Sequence, residues 1–574
     1  MKYKVAEVAP KEFKEAMLPI HEVISNILWQ RGVRTKEEAE AFFHPSWEKH
    51  VHDPFLFQNM SSAVRRILSA LEKSENITIH GDYDADGVTG SCVVYETLTL
   101  LKTCFSGSSS QIGIYIPHRE NEGYGLRMST VDKLAAEQVK LIITVDCGIG
   151  SVAETDYAHS LGIDSVVVDH HAMPPELSKT AIIIHPHVPG ETYPFKPLAA
   201  VGVAFKLACA LLIEARFKNF AVPVGFEKWL LDFVAIATIT DIVPLIGENR
   251  VFETYGLKVL QKTRRPGFRA IYRVAGIEPE TITSQTIGFG IGPRINAAGR
   301  MRHAKLAFDT LTATNQEDAD VFANELQLAN VERQKETEKM VLVALEKAKA
   351  QSNEKVILLA EDGWPHGLVG LVASKLTSEF HLPAYVVGKT EKGLVGSGRS
   401  IPGFHVTDAL KKFPEFLDRF GGHPQACGFT VKNEASLAAL FEGLRAHARI
   451  VLENHSSEKE YNVDALLPLN ECTLSLAEAF GALEPFGDGN PKPTVLVTKV
   501  IIKGFNTIGK NQEHLRISSQ VNGVRLSLIA FKMANRMHEL SLGAEINVIG
   551  EFGINEWQGR RDAQVVIKDF EVCS

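Results

Sequence analysis

The sequence predicts an α/β protein: a parallel-sheet body, one long helix, a second α/β body and a C-terminal β-barrel. Three patterns carry that expectation. Between residues 52 and 275, short β-branched apolar runs alternate with helical stretches, which argues for a mostly parallel sheet covered on both faces. From Asn315 to about Ala350 the chain is dense in Glu, Lys, Gln, Ala and Leu and holds neither Pro nor Gly, so it reads as one helix. After residue 460, short alternating segments separated by turns read as strands.

A chain of 574 residues exceeds one ordinary core, and roughly three or four domains are expected. The pattern divides it into a helical lead (1–50), a sheet body that carries the chemistry (51–275), a connector with the long helix (276–352), a second α/β domain (353–455) and a β-rich tail (456–574). Hydrophobic residues at 45% and charged residues at 23% are ordinary for a soluble protein. The net charge of −8 does not mark a nucleic-acid binder, but net charge says nothing about a local basic groove. Seven cysteines with no CxxC pair argue against a zinc ribbon or a disulfide framework and fit a reducing cytoplasm. The start MKYKVAEVAPKEF has no signal core, and no run of about 18 apolar residues occurs, so no membrane partner is expected.

In the lead, Phe13 to Trp29 is amphipathic, and Thr35 with Glu38 forms a capping box before Ala39 to Phe43. Phe42, Phe43, Pro45 and Trp47 make an aromatic cluster expected to pack on the next body. Strands are then expected at Ile77–His80, Ile112–Pro117, Leu141–Asp146, Ser165–Asp169 and Ala181–His185, with a helix from Val88 to Leu101.

The chemistry gathers where these strands end. Asp82, Asp84 and Asp86 sit on the turn after the first strand, the place where open α/β sheets bind ligands. Three carboxylates so close repel one another, and a divalent cation is the usual remedy; oxygen donors suit magnesium or manganese. Asp146 ends a second strand before a glycine, Asp169-His170-His171 ends a third, and Asp241 follows the apolar run Phe233–Ile239. After the second strand, Arg119 and Tyr124 lie in a glycine-bearing loop that can pair with a phosphate and stack on a base.

The glycine-rich stretch Ile287–Arg300 reads as a loop that lets backbone approach a ligand, with Arg294, Asn296 and Arg300 available to it. The long helix follows; its polar middle, Glu332–Lys339, suggests a strut crossing solvent. In the second α/β domain, Lys355–Ala360 and Pro383–Val387 read as strands and Val369–Phe380 as a helix. Gly396-Ser397-Gly398-Arg399-Ser400 offers a hydroxyl, amides and a guanidinium within one turn, a phosphate cradle. In the tail, strands at Thr494–Val500, Leu515–Ile517, Val524–Phe531 and Ile546–Phe552, with an Asn522-Gly523 turn, fit a five-strand barrel of the OB type. Lys503, Phe505, Arg516, Arg525, Trp557 and Arg560 supply the basic and aromatic mixture such a fold uses on single strands.

The order GDYDADG, VDCG, VDHH and a later aspartate resembles the DHH phosphoesterase family, and within it the exonucleases specific for single-stranded DNA. The resemblance runs from about residue 50 to the end, and it is most specific in the first two domains. It implies a DHH-type catalytic domain, a DHH-associated domain and a two-metal centre holding Mn2+ or Mg2+. Asp84, Asp86, Asp146, His170 and Asp241 would be the ligands, Asp146 would bridge, and Asp82 and His80 would be ligands or lie next to them. His171 would act as acid or electrostatic stabiliser beside the scissile phosphate. Gly421-Gly422-His423-Pro424-Gln425-Ala426 resembles the DHH-associated signature and places His423 at the phosphate or incoming strand. Glu484–Pro491 resembles a family segment expected to pack on the catalytic body.

The activity so implied is 5′-to-3′ digestion of single-stranded DNA with a free 5′ end, releasing 5′-mononucleotides in repair and recombination, alongside a single-strand-binding protein and a helicase. A small-molecule phosphoesterase (pyrophosphatase or cyclic-dinucleotide phosphodiesterase) and a non-catalytic DNA-binding scaffold are the alternatives. The chain's length and its arginine loops argue against the first, and the filled ligand positions against the second.

Overall fold

Runs of Ile and Val that cannot face water form the first sheet. Its strands are Asn76–Gly81, Ile112–Tyr115, Val139–Val145, Asp164–Val168 and Ile182–Ile184. All pair in parallel, and in space Ile112–Tyr115 lies outside Asn76–Gly81, followed by the other three in sequence order. The order therefore reverses between Asn76–Gly81 and Val139–Val145. A crevice at the carboxyl ends of the strands opens at such a switch point. Gly81 pairs with Val145, so Asp82 and Asp146 leave neighbouring strands at one level. The computed structural model describes all residues except 106, 352, 456–458, 522, 523, 558 and 574. The expected Asn522-Gly523 turn and the Trp557 side chain lie outside what is described.

Two helices cover this sheet beside the site, Ala85–Lys102 and Ala200–Phe217, both largely buried. The core they share runs from Phe57 to Leu326 and includes the first third of the long helix Gln316–Lys349. That helix is capped by the Asn315 side chain, which accepts from the Asp318 amide. Ala319, Ala323 and Leu326 pack on the first core, and Met340, Ala344 and Ala348 pack on a second. No residue from Val331 to Lys339 is buried, as expected of a strut.

The second sheet runs Leu417–Gly422, Ala426–Val431, Gly393–Arg399, Ala384–Thr390, Ile357–Asp362, and only its last pair is parallel. Helix Val369–Phe380 covers it. Among the described residues, the C-terminal sheet has seven strands rather than five. Gly504–Ile508 and Ala465–Pro468 are too short to stand out in sequence, and Arg560–Val572 is masked by its charged start.

The lead departs from expectation. Phe13 to Trp29 is two helices, Lys11–Ala16 and Glu22–Gln30, because Pro19 cannot donate to a helix interior. Strand Lys2–Val5 pairs with Glu460–Val463, and Phe13, Ile24, Leu28 and Phe42 share one core with the C-terminal sheet. The Thr35–Glu38 capping box is formed. The aromatic cluster divides: Phe42 joins the C-terminal core, while Trp47 sets its edge against Phe205 of the first body at 6.0 Å, a contact worth about 0.5–1.5 kcal/mol. Among the described residues, no helix is long and apolar enough to cross a membrane.

Candidate metal centre and phosphate site

The turn after Asn76–Gly81 is built by its own aspartates. Asp84 caps the helix, its Oδ1 accepting from the amides of Asp86 (2.9 Å) and Gly87 (3.2 Å). A Cβ on Gly87 would lie 2.6 Å from the backbone of Asp82, so only glycine fits there. Both oxygens of Asp86 accept from Ala200 and Val201 at 2.7 and 2.8 Å. Its charge thus rests on the positive end of helix Ala200–Phe217. Asp146 adopts φ 62°, an uncommon conformation for a residue other than glycine and one that clusters at functional sites. Asp241 ends helix Leu231–Thr240.

These side chains converge. Nε2 of His170 lies 3.4 Å from Asp146 Oδ1, 3.6 Å from Asp241 Oδ2 and 3.7 Å from Asp86 Oδ2. Three sets have potential ligand atoms within 4.8 Å of one another: Asp82, Asp84 and Asp146; Asp86, His170 and Asp241; and Asp146, His170 and His171. Asp146 belongs to two of them. Oδ1 of Asp82 and Oδ1 of Asp146 are buried without a hydrogen-bond partner. Burial, followed by the charge of neighbouring carboxylates, pushes Asp82 and Asp146 well above the usual range, Asp86 up to about 7 and Asp241 up to about 9. Burial and the charge of His171 push His170 down to about 4, so it offers a neutral nitrogen. Carboxylate oxygens left unpaired, beside one neutral imidazole, are a donor set that fits divalent cations such as manganese.

His80 lies outside the three sets but next to the aspartate turn, one of the two places expected for it, and its Nε2 is buried without a hydrogen-bond partner. Its Nδ1 faces the Cys147 thiol at 3.5 Å and its ring stacks on Tyr115. Burial holds it near 4, as a neutral imidazole.

Asp169, which the sequence reading did not assign, organises the histidine pair. It is fully buried; its Oδ1 accepts from the amides of His170 (2.7 Å) and His171 (3.1 Å) and lies 2.8 Å from Nδ1 of His171. Burial alone would lower the pKa of His171, but the Asp169 hydrogen bond and charge reverse this and raise it to about 9. Tyr124 turns its hydroxyl to the Asp146 carbonyl (3.0 Å) and to His171 Nδ1 (3.1 Å). His185 accepts the His187 amide on Nδ1, so Nε2 carries the proton and donates to the His171 carbonyl at 2.9 Å. From the second body, His423 sits in the turn between Leu417–Gly422 and Ala426–Val431, its ring 6.4 Å from that of His171. The VDHH string and a buried strand end were the available signal for Asp169.

Beside this acidic centre lies its opposite. The Ile287–Arg300 stretch is not a loop: Ile287–Ile291 forms a π turn and Gly292–Met301 an α-helix. Its glycines serve helix crossings, since a Cβ on Gly299 would run into the Tyr83 carbonyl and one on Gly292 into Thr240. Asn296 Oδ1 accepts the Ala85 amide at 2.9 Å, fastening this helix to the aspartate turn. Arg300 donates to the Gly367 carbonyl at 2.6 Å and reaches the second body. Burial and the charges of Arg119, Arg333 and Arg399 lower its pKa to about 9. Arg119 lies over the Tyr83 ring at 4.6 Å.

The Gly396–Ser400 cradle is likewise not a turn; Ser397 and Arg399 lie on strand Gly393–Arg399. Arg399 Nη1 donates to Ser397 Oγ at 2.8 Å, and both approach Gly370 at the start of helix Val369–Phe380. Arg294 turns away, donating to Gln327 (2.8 Å) and to the Gly290 carbonyl. Arg333, hidden in the strut, joins Asn296 and Arg300 along a groove of about 1030 Å³ and buries an unpartnered Nε. Among the described residues, none of Arg119, Arg294, Arg300, Arg333 and Arg399 forms an ion pair with a carboxylate.

The "DHH family, N-terminal domain" matches residues 76–238, the "DHHA1 domain" residues 353–449 and the "RecJ OB domain" residues 463–569. The single-stranded-DNA-specific exonuclease RecJ of Bacillus subtilis (strain 168) is 38% identical over 562 residues, covering 97% of this chain and 68% of that protein. The chain belongs to the RecJ family. The RecJ of Escherichia coli (strain K12) is 30% identical, covering 94% of this chain and 93% of that one. The crystal structure of RecJ in complex with Mn2+ from Thermus thermophilus superposes with a TM-score of 0.82 at 27% identity, over 99% of this chain and 79% of that one. The same three-part RecJ arrangement, with an OB domain at the C-terminus, therefore frames the site described above.

Proposed function

We propose that this protein is a divalent-metal-dependent exonuclease that hydrolyses phosphodiester bonds of single-stranded DNA from a free 5′ end, releasing 5′-mononucleotides. One observation carries the reading: a buried carboxylate cluster short of positive charge abuts a group of four guanidiniums, Arg119, Arg300, Arg333 and Arg399, short of negative charge. A phosphodiester strand with two cations satisfies both. The name of the relatives and the Mn2+ of the Thermus structure support the substrate and the metal.

Asp82, Asp84 and Asp146 would hold one ion, Asp86, His170 and Asp241 the other, with Asp146 between them. When bound, the pair supplies an activated water and neutralises charge at phosphorus. The chain's own groups do the rest. Asp169 and Tyr124 fix the His171 ring on its Nδ1 side, and the protonated imidazole can stabilise phosphate charge or donate a proton. His423 brings a second ring from the facing body. Ser397, Arg399 and the amides at the start of Val369–Phe380 are suited to a terminal phosphate, with Arg119 and Arg300 beside it. Such a pocket would set the reading direction by holding the 5′ end. Arg294, tied to Gln327, supports the helix rather than the strand. Phe505 packs on the C-terminal core, but Arg516 and Arg525 are exposed on one face of that sheet and would lead the strand in. We place this activity in the cytoplasm, in repair and recombination, with a helicase or a single-strand-binding protein supplying the strand.

The test uses single strands labelled at either end, with Mn2+ and with chelator. Loss of the 5′ label first, and only with metal, is expected. First loss of the 3′ label, or turnover undiminished by chelation, would overturn the proposal.

A further inference from the structure

The loop that follows Asp241 is fastened from outside its own body. Ile242 takes φ 58°, a left-handed conformation that a β-branched residue resists, and its side chain is 71% exposed. Nothing in the residue itself favours that shape, so its surroundings must impose it. Three residues on, the Leu245 amide donates to the Asp488 carbonyl of the C-terminal body at 2.8 Å. The Arg250 guanidinium then donates to the carbonyls of Leu483 (3.1 Å), Glu484 (2.8 Å), Pro485 (3.3 Å) and, from the lead, Phe42 (2.7 Å).

The opposing segment is itself knitted. Buried Asn490 donates to Leu483 and Pro485, and its carbonyl accepts the Gly487 amide. The fit is close: a Cβ on Gly489 would stand 2.9 Å from Pro244, and one on Gly487 2.7 Å from Leu245. Asn249 links the Pro244 carbonyl to that of Pro197, just before the helix whose first amides hold Asp86.

We propose that segment Leu483–Asn490 is a clamp from the C-terminal body that positions Asp241, and through Asn249 also steadies Asp86, so that docking of this body sets the affinity of one of the two metal ions. The proposal rests on the metal-centre reading given above. Arg250 and Leu245 are positioning residues and touch neither metal nor substrate. The clamp works through directional hydrogen bonds to backbone rather than through ion pairs, so small misalignments reach the carboxylate.

Mn2+ binding to the full-length, metal-stripped protein, read from the free-ion electron paramagnetic resonance signal, tests it without any turnover. Arg250→Met keeps the bulk and removes the donors, while Gly489→Val wedges against Pro244. Ile517→Val trims the C-terminal core on strand His514–Val521, between Gly504–Ile508 and Val524–Ala530. The expected result is a roughly tenfold or greater loss of affinity for one ion of two in both clamp variants, and wild-type binding in Ile517→Val. Where Gly489→Val does not fold, Arg250→Met alone decides. Wild-type affinity in the clamp variants, or an equal loss in Ile517→Val, overturns the clamp. A wild-type protein that binds no Mn2+ overturns the metal centre itself, and the clamp with it.

Discussion

The acidic centre and the guanidinium pocket are neighbours built on opposite principles. The carboxylates come from one body, at the ends of strands and helices grouped around a single sheet. The arginines come from four places: a loop (Arg119), a helix packed on the aspartate turn (Arg300), the strut (Arg333) and a strand of the second body (Arg399). The first region therefore stays intact whatever the second body does. The second exists only when the two bodies face each other. Metal binding and strand capture should accordingly fail separately.

Substitution at the centre gives the largest effect. Asp84→Ala is expected to lower metal-dependent turnover by about a thousandfold or more, since removing the charge-stabilising pair forfeits several kcal/mol at the transition state. Single-strand affinity, measured by fluorescence anisotropy, should change by less than about threefold, because the arginines carry it. Comparable losses in both would merge the two regions. Next, Arg399→Ala should lower kcat/KM about thirty- to a hundredfold on strands with a 5′ phosphate, the value of about 2–3 kcal/mol for charge-assisted hydrogen bonds. Mn2+ affinity should stay at the wild-type value.

Stripping the metal sharpens the contrast in stability. Returning Mn2+ at about a hundred times its dissociation constant should stabilise the fold by roughly 2.7 kcal/mol per site, read as a rise in melting temperature. Asp146→Asn should blunt that rise, and Arg300→Gln should not. The smallest effect is expected at Arg333→Gln: weaker strand binding by a few fold, with the logarithmic salt slope falling by about 0.7, the share of one single-strand phosphate. An unchanged slope would remove the strut from the strand's path.

The acidic region was the more legible. Asp82, Asp84 and Asp86 announce themselves because a strand, a turn and a helix cap are all local, and local rules read such features well. Asp169 stands out in sequence as a strand end beside His170 and His171 but not by its role, since a buried carboxylate that orients a ligand leaves no separate pattern. His80 is only half legible: strand geometry turns its Nδ1 toward Cys147 and its ring onto Tyr115, while its Nε2 stays buried without a partner. The cationic region was harder. Glycines in Ile287–Arg300 read as a loop open to a ligand, whereas they are the small surfaces where one helix crosses Tyr83 and Thr240. Arg333 sat unnoticed among charged residues of a solvent-facing helix, because only the fold shows which of them points at Arg300. The C-terminal sheet was undercounted for a similar reason: its short strands gain their order from neighbours rather than from their own alternation.

The strut carries one more consequence. Over Val331–Lys339 no residue is buried, so the helix backbone itself carries the distance and the rotation from one body to the next. Each inserted residue would lengthen it by about 1.5 Å and swing the far end by about 100°. A single-residue insertion there would thus carry His423 and Arg399 around the axis and out of register with His171. An insertion of about seven residues would restore the heading but leave the two halves roughly 10 Å too far apart. In this molecule helix length serves as a gauge block, and lineages that share the active site should tolerate changes of composition in that stretch far better than changes of length.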